Sequence, residues 1–304
     1  MRFQHFSFHA MGGPCSLQLF ARDEALLQRA AATATVEVHR IEAKYSRYKE
    51  DSVLSRINAS AGDRAGTDVD PETAALLDYA AAAHEQSDGL FDATSGVLRR
   101  AWDFKARKLP QPGQLEALLP LVGWHKLQWR KPRLVLPHKG MELDFGGFGK
   151  EYAADRAAGV LAAMGVHHGL IELGGDIRVL GPQPDGSPWR VGIRHPRAPE
   201  TPVASIELSS GAIASSGDYE RYFELAGRRY SHILDPHNGW PIEGLASVSV
   251  LAEQCLVAGT ATTIAMLKGH KGRDWLEQLG LPWLVVDAGG SVEGSIHSIG
   301  VEVS

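Results

Sequence analysis

Apolar residues recur along this chain at spacings that predict both helices and strands. Between residues 27 and 48 they recur every three and four positions, which places one apolar stripe along a helix that ends near 46–48. Asp70 followed by Pro71 is typical of a helix N-terminus, and the helix predicted over 72–87 stops at an Asp-Gly pair. Further helices, each closed by a glycine, are predicted over 151–164, 256–268 and 272–279.

Strand patterns concentrate in the second half of the chain. Ala226-Gly227 lies between two runs of strand-forming residues and predicts the turn of a hairpin. Gly174-Gly175-Asp176 also separates two apolar runs, and it predicts a bulge or a place where the backbone approaches a ligand. The predicted strands are 1–10, 170–173, 177–180, 221–225, 228–234, 247–251 and 283–287. This irregular mixture predicts an α+β fold, and the short loops predict a single globular unit over 1–304.

Composition narrows the function classes. The 304 residues carry 31 Lys and Arg against 36 Asp and Glu, so neither nucleic acid nor an anionic membrane surface is an expected main partner. The hydrophobic fraction of 44% excludes disorder. No run approaches the roughly 20 apolar residues of a membrane span, and the N-terminus has no apolar signal core, so we expect a cytoplasmic protein without membrane insertion. Cys15 and Cys255 lack a metal or redox spacing and are predicted to be buried.

A glycine-rich segment is the first candidate for chemistry. Asp144, Gly146, Gly147, Gly149 and Lys150 come at the entry to a predicted helix, where free N–H groups point at an anion. The spacing is neither that of a P-loop nor that of a Rossmann fingerprint. Taken alone, the segment is equally well interpreted as a tight turn that lets a helix and a strand pack closely.

His232 is the second candidate. It lies in a predicted strand and is followed by Asp235-Pro236 and by a turn at Gly239. This order places an imidazole at the mouth of a loop, where a proton acceptor near neutral pH is useful. A structural histidine that forms hydrogen bonds to the turn is the alternative.

Taken in order, seven segments of the chain resemble the FAD:protein FMN transferase family, the ApbE-type flavin transferases. The matching residues are Met11-Gly12; Ser46, Tyr48, Ser52 and Asn58; Phe91-Asp92, Thr94, Gly96 and Leu98; Asp144, Gly146-Gly147, Lys150, Tyr152 and Asp155; Gly174-Gly175-Asp176; Ser216-Gly217-Asp218-Tyr219; and Ser231-His232-Ile233, Asp235-Pro236 and Gly239. The resemblance implies an α+β unit with a duplicated T-fold-like core, in which mixed sheets pack with helices.

The resemblance also implies an activity. The protein would cleave the pyrophosphate of FAD, move FMN through a phosphoester bond onto a threonine hydroxyl of a target protein, and release AMP. Its implied partners are therefore FAD and a protein acceptor that presents a threonine. Two alternatives stay open, namely a protein that binds FAD without turning it over and an FAD pyrophosphatase that gives FMN and AMP.

Residue roles follow from the same resemblance. His232 would act as general base on the incoming threonine, and Asp235 would orient either His232 or its loop. Gly146, Gly147 and Lys150 would bring N–H groups and one positive charge to the pyrophosphate.

The resemblance places further residues at FAD and at a metal ion. Those at FAD are Met11, Tyr48, Leu90, Phe91, Asp92, Asp176 and Ile233. Tyr48 would stack on the flavin, and the Asp92 carboxylate would accept hydrogen bonds from ring or ribose donors. The implied metal is Mg²⁺, with oxygen ligands from Gly149 and Thr263.

One departure from the family pattern concerns that metal. Gly259 stands where the family has an aspartate four residues before the threonine, and the loss of a charged ligand predicts weaker Mg²⁺ binding. Glu151 stands where the family usually has a glycine after the lysine, and it could supply a replacement carboxylate. The alternative is an exposed glutamate that the helix dipole favours in the first turn. Gly13 and Asn238 each replace a threonine and leave a backbone role available.

Overall fold

A computed structural model describes residues 1–198 and 200–297. Its helices are α1 (Glu24–Tyr45), α2 (Val53–Ala59), α3 (Pro71–Gln86), α4 (Gln114–Leu118), α5 (Gly149–Ala163), α6 (Cys255–Lys268) and α7 (Gly272–Leu279). Its strands are β1 (Arg2–Ala10), β2 (Gly13–Ala21), β3 (Thr67–Asp68), β4 (Gln128–Arg130), β5 (Arg133–Val135), β6 (His168–Leu173), β7 (Asp176–Gly181), β8 (Trp189–Arg194), β9 (Pro202–Leu208), β10 (Gly211–Gly217), β11 (Tyr222–Leu225), β12 (Arg228–Ser231), β13 (Leu245–Ala252), β14 (Trp283–Asp287) and β15 (Val292–Gly294).

An antiparallel sheet of eight strands forms the centre of the fold, in the order β1-β2-β6-β7-β10-β13-β14-β15. Met11-Gly12 joins β1 to β2, and Gly174-Gly175 joins β6 to β7. All four residues have positive φ, as the tightest hairpin turns require. Of the two alternatives for Gly174-Gly175, the bulge is wrong, because these glycines form a two-residue turn between the paired residues Leu173 and Asp176. The approach of a ligand to this backbone stays a prediction.

Helices α1, α5 and α6 cover one face of this sheet. α1 packs over β1 and β2, α5 over β6 and β7, and α6 over β10 and β13. Several buried positions of these helices are alanine or glycine, and small side chains let helix axes approach closely. The largest fully buried side chains of the core beneath them include Leu17, Leu27, Phe145 and Phe148.

The opposite face is covered by the β8–β9 hairpin. Buried and exposed residues alternate along β8, so Trp189, Val191 and Ile193 all point to the same side. They pack in one buried cluster with residues of the central sheet that include Val179 and Val286. Helices, sheet and hairpin thus form three layers.

A smaller apolar cluster supports the hairpin of β11 and β12. It joins Phe223 and Tyr230 of the hairpin to Leu98 and Trp102, which lie in and directly after the short helical segment 95–101. Trp102 Nε1 donates to the Gly239 carbonyl at 2.9 Å. The loop that follows His232 is therefore fixed to this cluster.

Most predicted elements are confirmed. The five predicted helices are α1, α3, α5, α6 and α7, with α5 beginning at Gly149, two residues before its predicted start. The hairpin turn at Ala226-Gly227 is present, but β12 ends at Ser231, so His232 lies just beyond a strand and not inside one. Cys15 and Cys255 are free and buried as predicted.

The predicted fold class, an α+β unit of sheets packed with helices, is confirmed, and all the strand pairings of the described residues are antiparallel. The duplication of the core stays a prediction. No helix in the described part of the chain combines the length and the apolar character needed to cross a membrane.

Candidate active site

Chain topology brings motif residues to one end of the central sheet. The Met11-Gly12 and Gly174-Gly175 turns lie side by side there, because the Gly174 N–H donates to the Pro14 carbonyl at 3.2 Å. Asp176 begins β7 at this end, and the pairing of β10 with β7 and β13 brings Ser216 to the same end. Segments that are far apart in the sequence therefore meet here.

The glycine-rich loop, residues 144–149, leads directly into α5. The Gly146 N–H donates to Asp144 Oδ1 at 2.8 Å, so this amide is already used inside the loop. The Gly147 N–H has no acceptor among the described residues, and a Cβ at this position would lie 3.2 Å from the Phe91 ring. Of the two amides predicted to face a pyrophosphate, Gly147 is the one left available.

Lys150 and Asp176 form an ion pair beside the Gly174-Gly175 turn. Lys150 Nζ lies 2.6 Å from Asp176 Oδ2, and the Ser215 N–H donates to Asp176 Oδ1 at 3.0 Å. Burial disfavours the ammonium, but Asp176 and then Glu151 outweigh it and raise the pKa of Lys150. Lys150 is therefore charged, but Asp176 already neutralises the charge predicted to face the pyrophosphate.

Glu151 lies in the first turn of α5 and points into the protein, against Gly259 of α6. It is 7% exposed, and a Cβ on Gly259 would lie only 2.5 Å from Glu151 Cγ. Glu151 Oε2 is buried and has no hydrogen-bond partner among the described residues. Burial, reinforced by Asp176 and opposed by Lys150, raises the pKa of Glu151. The expectation of an exposed first-turn glutamate is therefore wrong.

Helix α6 presents hydroxyl groups at the same end of the sheet. Thr263 lies one turn beyond Gly259, so the two positions share a face of the helix. The Thr263 hydroxyl oxygen lies 3.4 Å from Ser216 Oγ, and the residue is partly exposed. Thr262 is buried, and its hydroxyl donates to the Gly259 carbonyl at 2.8 Å. Thr263 is therefore the hydroxyl of this pair that a ligand can reach.

Asp155 holds the beginning of α6 against α5. Its carboxylate accepts hydrogen bonds from the Cys255 and Leu256 N–H groups, each at 2.9 Å. Arg178 Nε also donates to this carboxylate, at 3.1 Å. Asp155 therefore sets the position of the helix that carries Gly259 and Thr263 without being part of the site itself.

The Asp92 carboxylate holds its own loop together. Oδ1 accepts from the Thr94 N–H at 2.8 Å and from its hydroxyl at 2.6 Å, and Oδ2 accepts from the Trp124 N–H at 2.8 Å. Asp92 and the Phe91 ring are both buried. Both oxygens of this carboxylate therefore have donors within the protein, and hydrogen bonds from FAD to Asp92 stay a prediction. The Leu90 and Phe91 N–H groups donate to Ser87 at 3.4 and 2.8 Å, so these two amides are used within the loop.

His232 follows directly after β12. Its N–H donates to the Arg221 carbonyl at 3.0 Å, and the residue is exposed to solvent. Protein atoms around the ring reduce its hydration, and this desolvation is the largest cause that lowers the pKa of His232. The Arg221 guanidinium lowers the pKa further, and the hydrogen bond to the Arg221 backbone opposes the shift with a smaller effect. The imidazole is therefore neutral near pH 7, which is the protonation state that a general base needs, while the lowered pKa also makes it a weaker proton acceptor.

Asp235 orders the loop after His232. Oδ1 accepts from the His237 N–H at 2.8 Å, and Oδ2 accepts from the Asn238 side-chain amide at 3.0 Å. Asn238 Oδ1 in turn accepts from the Trp240 N–H at 2.7 Å. Of the two roles predicted for Asp235, the structure therefore supports the ordering of the loop and not the orientation of His232.

Tyr48 is 76% exposed, and the Arg47 guanidinium lies 4.9 Å from the centre of its ring. Arg47 donates to Tyr48 Oη at 2.9 Å and forms an ion pair with Asp144 of the glycine-rich loop. Burial would raise the pKa of Tyr48, but Arg47, Arg221 and Arg99 outweigh it and lower the pKa. An exposed aromatic ring among cations suits a flat ring system that carries phosphates.

Two other predicted FAD contacts point mainly toward the core. Ile233 is half-buried and packs against the apolar cluster that contains Leu245. Met11 is half-buried, and it packs against the main core cluster that contains Leu17. These contacts leave less side-chain surface for a ligand than the resemblance implies.

Sequence reasoning did not assign Arg47 and Arg221, which connect the parts of the site. Arg47 joins Tyr48 to the glycine-rich loop, and Arg221 lies close enough to affect both Tyr48 and His232. Arg47 directly precedes a motif tyrosine, which was the one available signal for its role. No spacing rule connects Arg221 to residue 48.

Comparisons with known proteins establish the family. A sequence profile of the ApbE family matches residues 11–285, and the chain belongs to this family. It is 33% identical over 248 residues to the FAD:protein FMN transferase of Vibrio cholerae. The aligned region covers 79% of this chain and 74% of that protein. The predicted resemblance is therefore confirmed.

Solved structures agree with this assignment. The crystal structure of the ApbE protein from Thermotoga maritima has a TM-score of 0.88 at 31% identity and covers 97% of both chains. The apo crystal structure of the Pseudomonas stutzeri flavinyl transferase ApbE has a TM-score of 0.86 at 30% identity, over 97% of this chain and 95% of that chain. The layered architecture is therefore that of the family.

Proposed function

We propose that the protein is an FAD:protein FMN transferase, which moves FMN from FAD onto a threonine hydroxyl of a protein acceptor through a phosphoester bond and releases AMP. The names of its relatives support this activity. The observation that carries the proposal is His232, an exposed imidazole with a lowered pKa beside the cationic surroundings of Tyr48. A cytoplasmic location stays a prediction.

The reaction needs alignment, neutralised phosphate oxygens and an activated hydroxyl. The threonine oxygen attacks the phosphorus on the riboflavin side of the pyrophosphate. The bond from that phosphorus to the bridging oxygen breaks, and AMP leaves with the bridging oxygen. His232 accepts the proton of the threonine hydroxyl, which its lowered pKa allows near pH 7.

The surrounding residues suit the binding of FAD. The exposed ring of Tyr48 offers a surface for flavin stacking, and Arg221 adds positive charge near it, while Arg47 and Arg99 are paired with Asp144 and Glu142. The available Gly147 N–H lies at the entry to α5, where the helix dipole favours phosphate. These features support binding of a dinucleotide across the end of the sheet.

Mg²⁺ is part of the proposal, because the residues between α5 and α6 fit a hard cation. Gly149 and Thr263 would supply oxygen ligands, and the unpartnered Oε2 of Glu151 provides a carboxylate oxygen beside α6. Within 1–198 and 200–297, no three His, Cys, Asp or Glu side chains are grouped to hold a metal ion. The other ligands would therefore be phosphate oxygens and water, as Mg²⁺ often has. When bound, the ion would neutralise charge on the pyrophosphate.

Replacing His232 tests the proposal. The protein is incubated with FAD, Mg²⁺ and a candidate acceptor, and both AMP and covalent flavin fluorescence on the acceptor are measured. We expect His232→Ala to slow labelling by a factor of about 10² or more, because it removes the proton acceptor. The Kd for FAD should change by less than about threefold, since the imidazole accepts a proton and does not anchor the nucleotide. The matched control is His5→Ala, on an exposed position of β1, which should label at the wild-type rate.

The outcomes separate the three candidate functions. Labelling with AMP release supports the transferase. AMP without a labelled acceptor would identify a pyrophosphatase, and bound FAD without AMP would identify a binding protein. A fully active His232→Ala variant would remove the assignment of the base.

A further inference from the structure

Positions 151 and 259 face each other across the contact between α5 and α6. A Cβ on Gly259 would lie 2.5 Å from Cγ, 2.8 Å from Cδ and 2.8 Å from Oε1 of Glu151. Unbonded carbon atoms do not approach this closely in proteins. The Glu151 side chain therefore fills the space that a side chain at position 259 would need.

The charges around Glu151 are balanced only when its carboxyl group is protonated or meets a further cation. Lys150 pairs with Asp176 at 2.6 Å, so its single positive charge serves two neighbouring carboxyl groups. Glu151 is 7% exposed, and its Oε2 has no hydrogen-bond partner among the described residues. A buried carboxylate is costly unless a cation or a proton neutralises it.

We propose, on the basis of the proposed transferase function, that Glu151 of α5 supplies the carboxylate ligand of the Mg²⁺ site, in place of an aspartate at position 259 of α6. Compared with the family pattern that the resemblance implies, the acidic side chain would then lie on α5 and the glycine that makes room for it on α6.

The position of Thr263 supports this exchange. Residues 259 and 263 lie one turn apart on one face of α6, where Cβ atoms are about 5–6 Å apart. The Glu151 carboxyl group lies against position 259, which is one helical turn from Thr263. A cation between them would meet a carboxylate and a hydroxyl, both of which are oxygen ligands that Mg²⁺ accepts.

The geometry also corrects the simplest expectation for position 259. Restoring the aspartate alone, by Gly259→Asp, would place its Cβ within 2.5 Å of Glu151 Cγ and would bring two acidic groups together. We therefore do not expect this single substitution to strengthen Mg²⁺ binding. The aspartate should function at 259 only when residue 151 is small.

Calorimetric titration of Mg²⁺ into the FAD-bound protein, without acceptor, tests the inference. We expect Glu151→Gln to weaken Mg²⁺ binding by a factor of about 10 or more, as the loss of a metal-site group typically does. FAD affinity in the absence of Mg²⁺ should stay within about threefold of wild type. The matched control is Glu253→Gln, which changes an exposed acid near the start of α6 and should bind Mg²⁺ as the wild type does.

The exchange variant Glu151→Gly/Gly259→Asp provides a second test. It should bind Mg²⁺ within about threefold of wild type, because it returns the carboxylate to α6. Three results would overturn the inference: no measurable Mg²⁺ binding by the wild type, wild-type affinity in Glu151→Gln, or an exchange variant with a wild-type circular dichroism spectrum that binds Mg²⁺ no better than Glu151→Gln. Failure of acceptor labelling would instead contradict the proposed function, and the Mg²⁺ titration would still decide the role of Glu151.

Discussion

Removal of the Asp155 carboxylate should loosen the beginning of α6. This carboxylate accepts from the N–H groups of Cys255 and Leu256, each at 2.9 Å, and from Arg178 Nε at 3.1 Å. The first N–H groups of a helix have no partner within the helix, so the side chain of another helix takes the place of an N-terminal cap. In Asp155→Ala these N–H groups lose their acceptor in a half-buried place.

The size of the change in the free energy of unfolding follows from the hydrogen bonds and the ion pair that Asp155→Ala removes. Loss of an N-terminal cap typically costs about 0.5–2 kcal/mol, and loss of a partly exposed ion pair costs about 0.2–1 kcal/mol. Arg178 keeps its hydrogen bonds to the Val179 and Gly211 carbonyls, so it is not left unpartnered. Burial raises the pKa of Asp155 despite its donors, and desolvation therefore offsets part of their energy. We expect Asp155→Ala to lower the free energy of unfolding by about 1–2 kcal/mol.

Urea unfolding, followed by far-UV circular dichroism, measures this change. Asp155→Asn keeps one carbonyl oxygen that can accept from α6. Its free energy of unfolding should therefore fall by about half as much as that of Asp155→Ala. Glu253→Ala is the control, since it removes an exposed acid close to the same helix end. A loss below about 0.5 kcal/mol in Asp155→Ala, which is the range of ordinary surface changes, would refute this account of α6.

Two further predictions follow from local geometry. The lowered pKa of His232 means that the imidazole stays neutral as the pH falls through 6.5, the usual value, and gains its proton only at lower pH. The kcat/KM for labelling should therefore be flat from pH 8 to 6 and fall below that range, and an acid limb centred near 6.5 would contradict the shift. Gly239 has φ of +75°, and a Cβ there would lie 2.6 Å from Leu115 Cδ2. Gly239→Ala should lower the free energy of unfolding by about 1–3 kcal/mol, and an unchanged thermal midpoint would show that the loop adapts freely.

The sequence predicted features that depend on neighbours along the chain. Asp70 and Pro71 begin α3 as expected, and glycines close α5, α6 and α7, because caps and turns are set by a few consecutive residues. The site motifs were found for a related reason. A glycine-rich helix entry and an imidazole near a turn are both local patterns.

Features that depend on contacts between distant segments were predicted less well. Asp92 sits in a matching motif, yet the N–H of Trp124 occupies its carboxylate, and nothing in the spacing of residues 92 and 124 indicates this bond. The burial of Glu151 depends on Gly259, a residue more than a hundred positions away. The helix dipole favours an acidic residue in the first turn whether or not it is exposed, and the packing of α5 on α6 buries the Glu151 side chain.

The contact between residues 151 and 259 also restricts how such a protein can change over generations. With an acidic side chain at both positions the two helices would be forced apart, and with glycine at both the carboxylate would be lost. If Glu151 holds the metal ion, neither single step leads from one arrangement to the other without a defective intermediate, and the two sites should be epistatic. A homologue that retains activity should therefore carry its acidic residue on one helix or the other, with a small residue opposite.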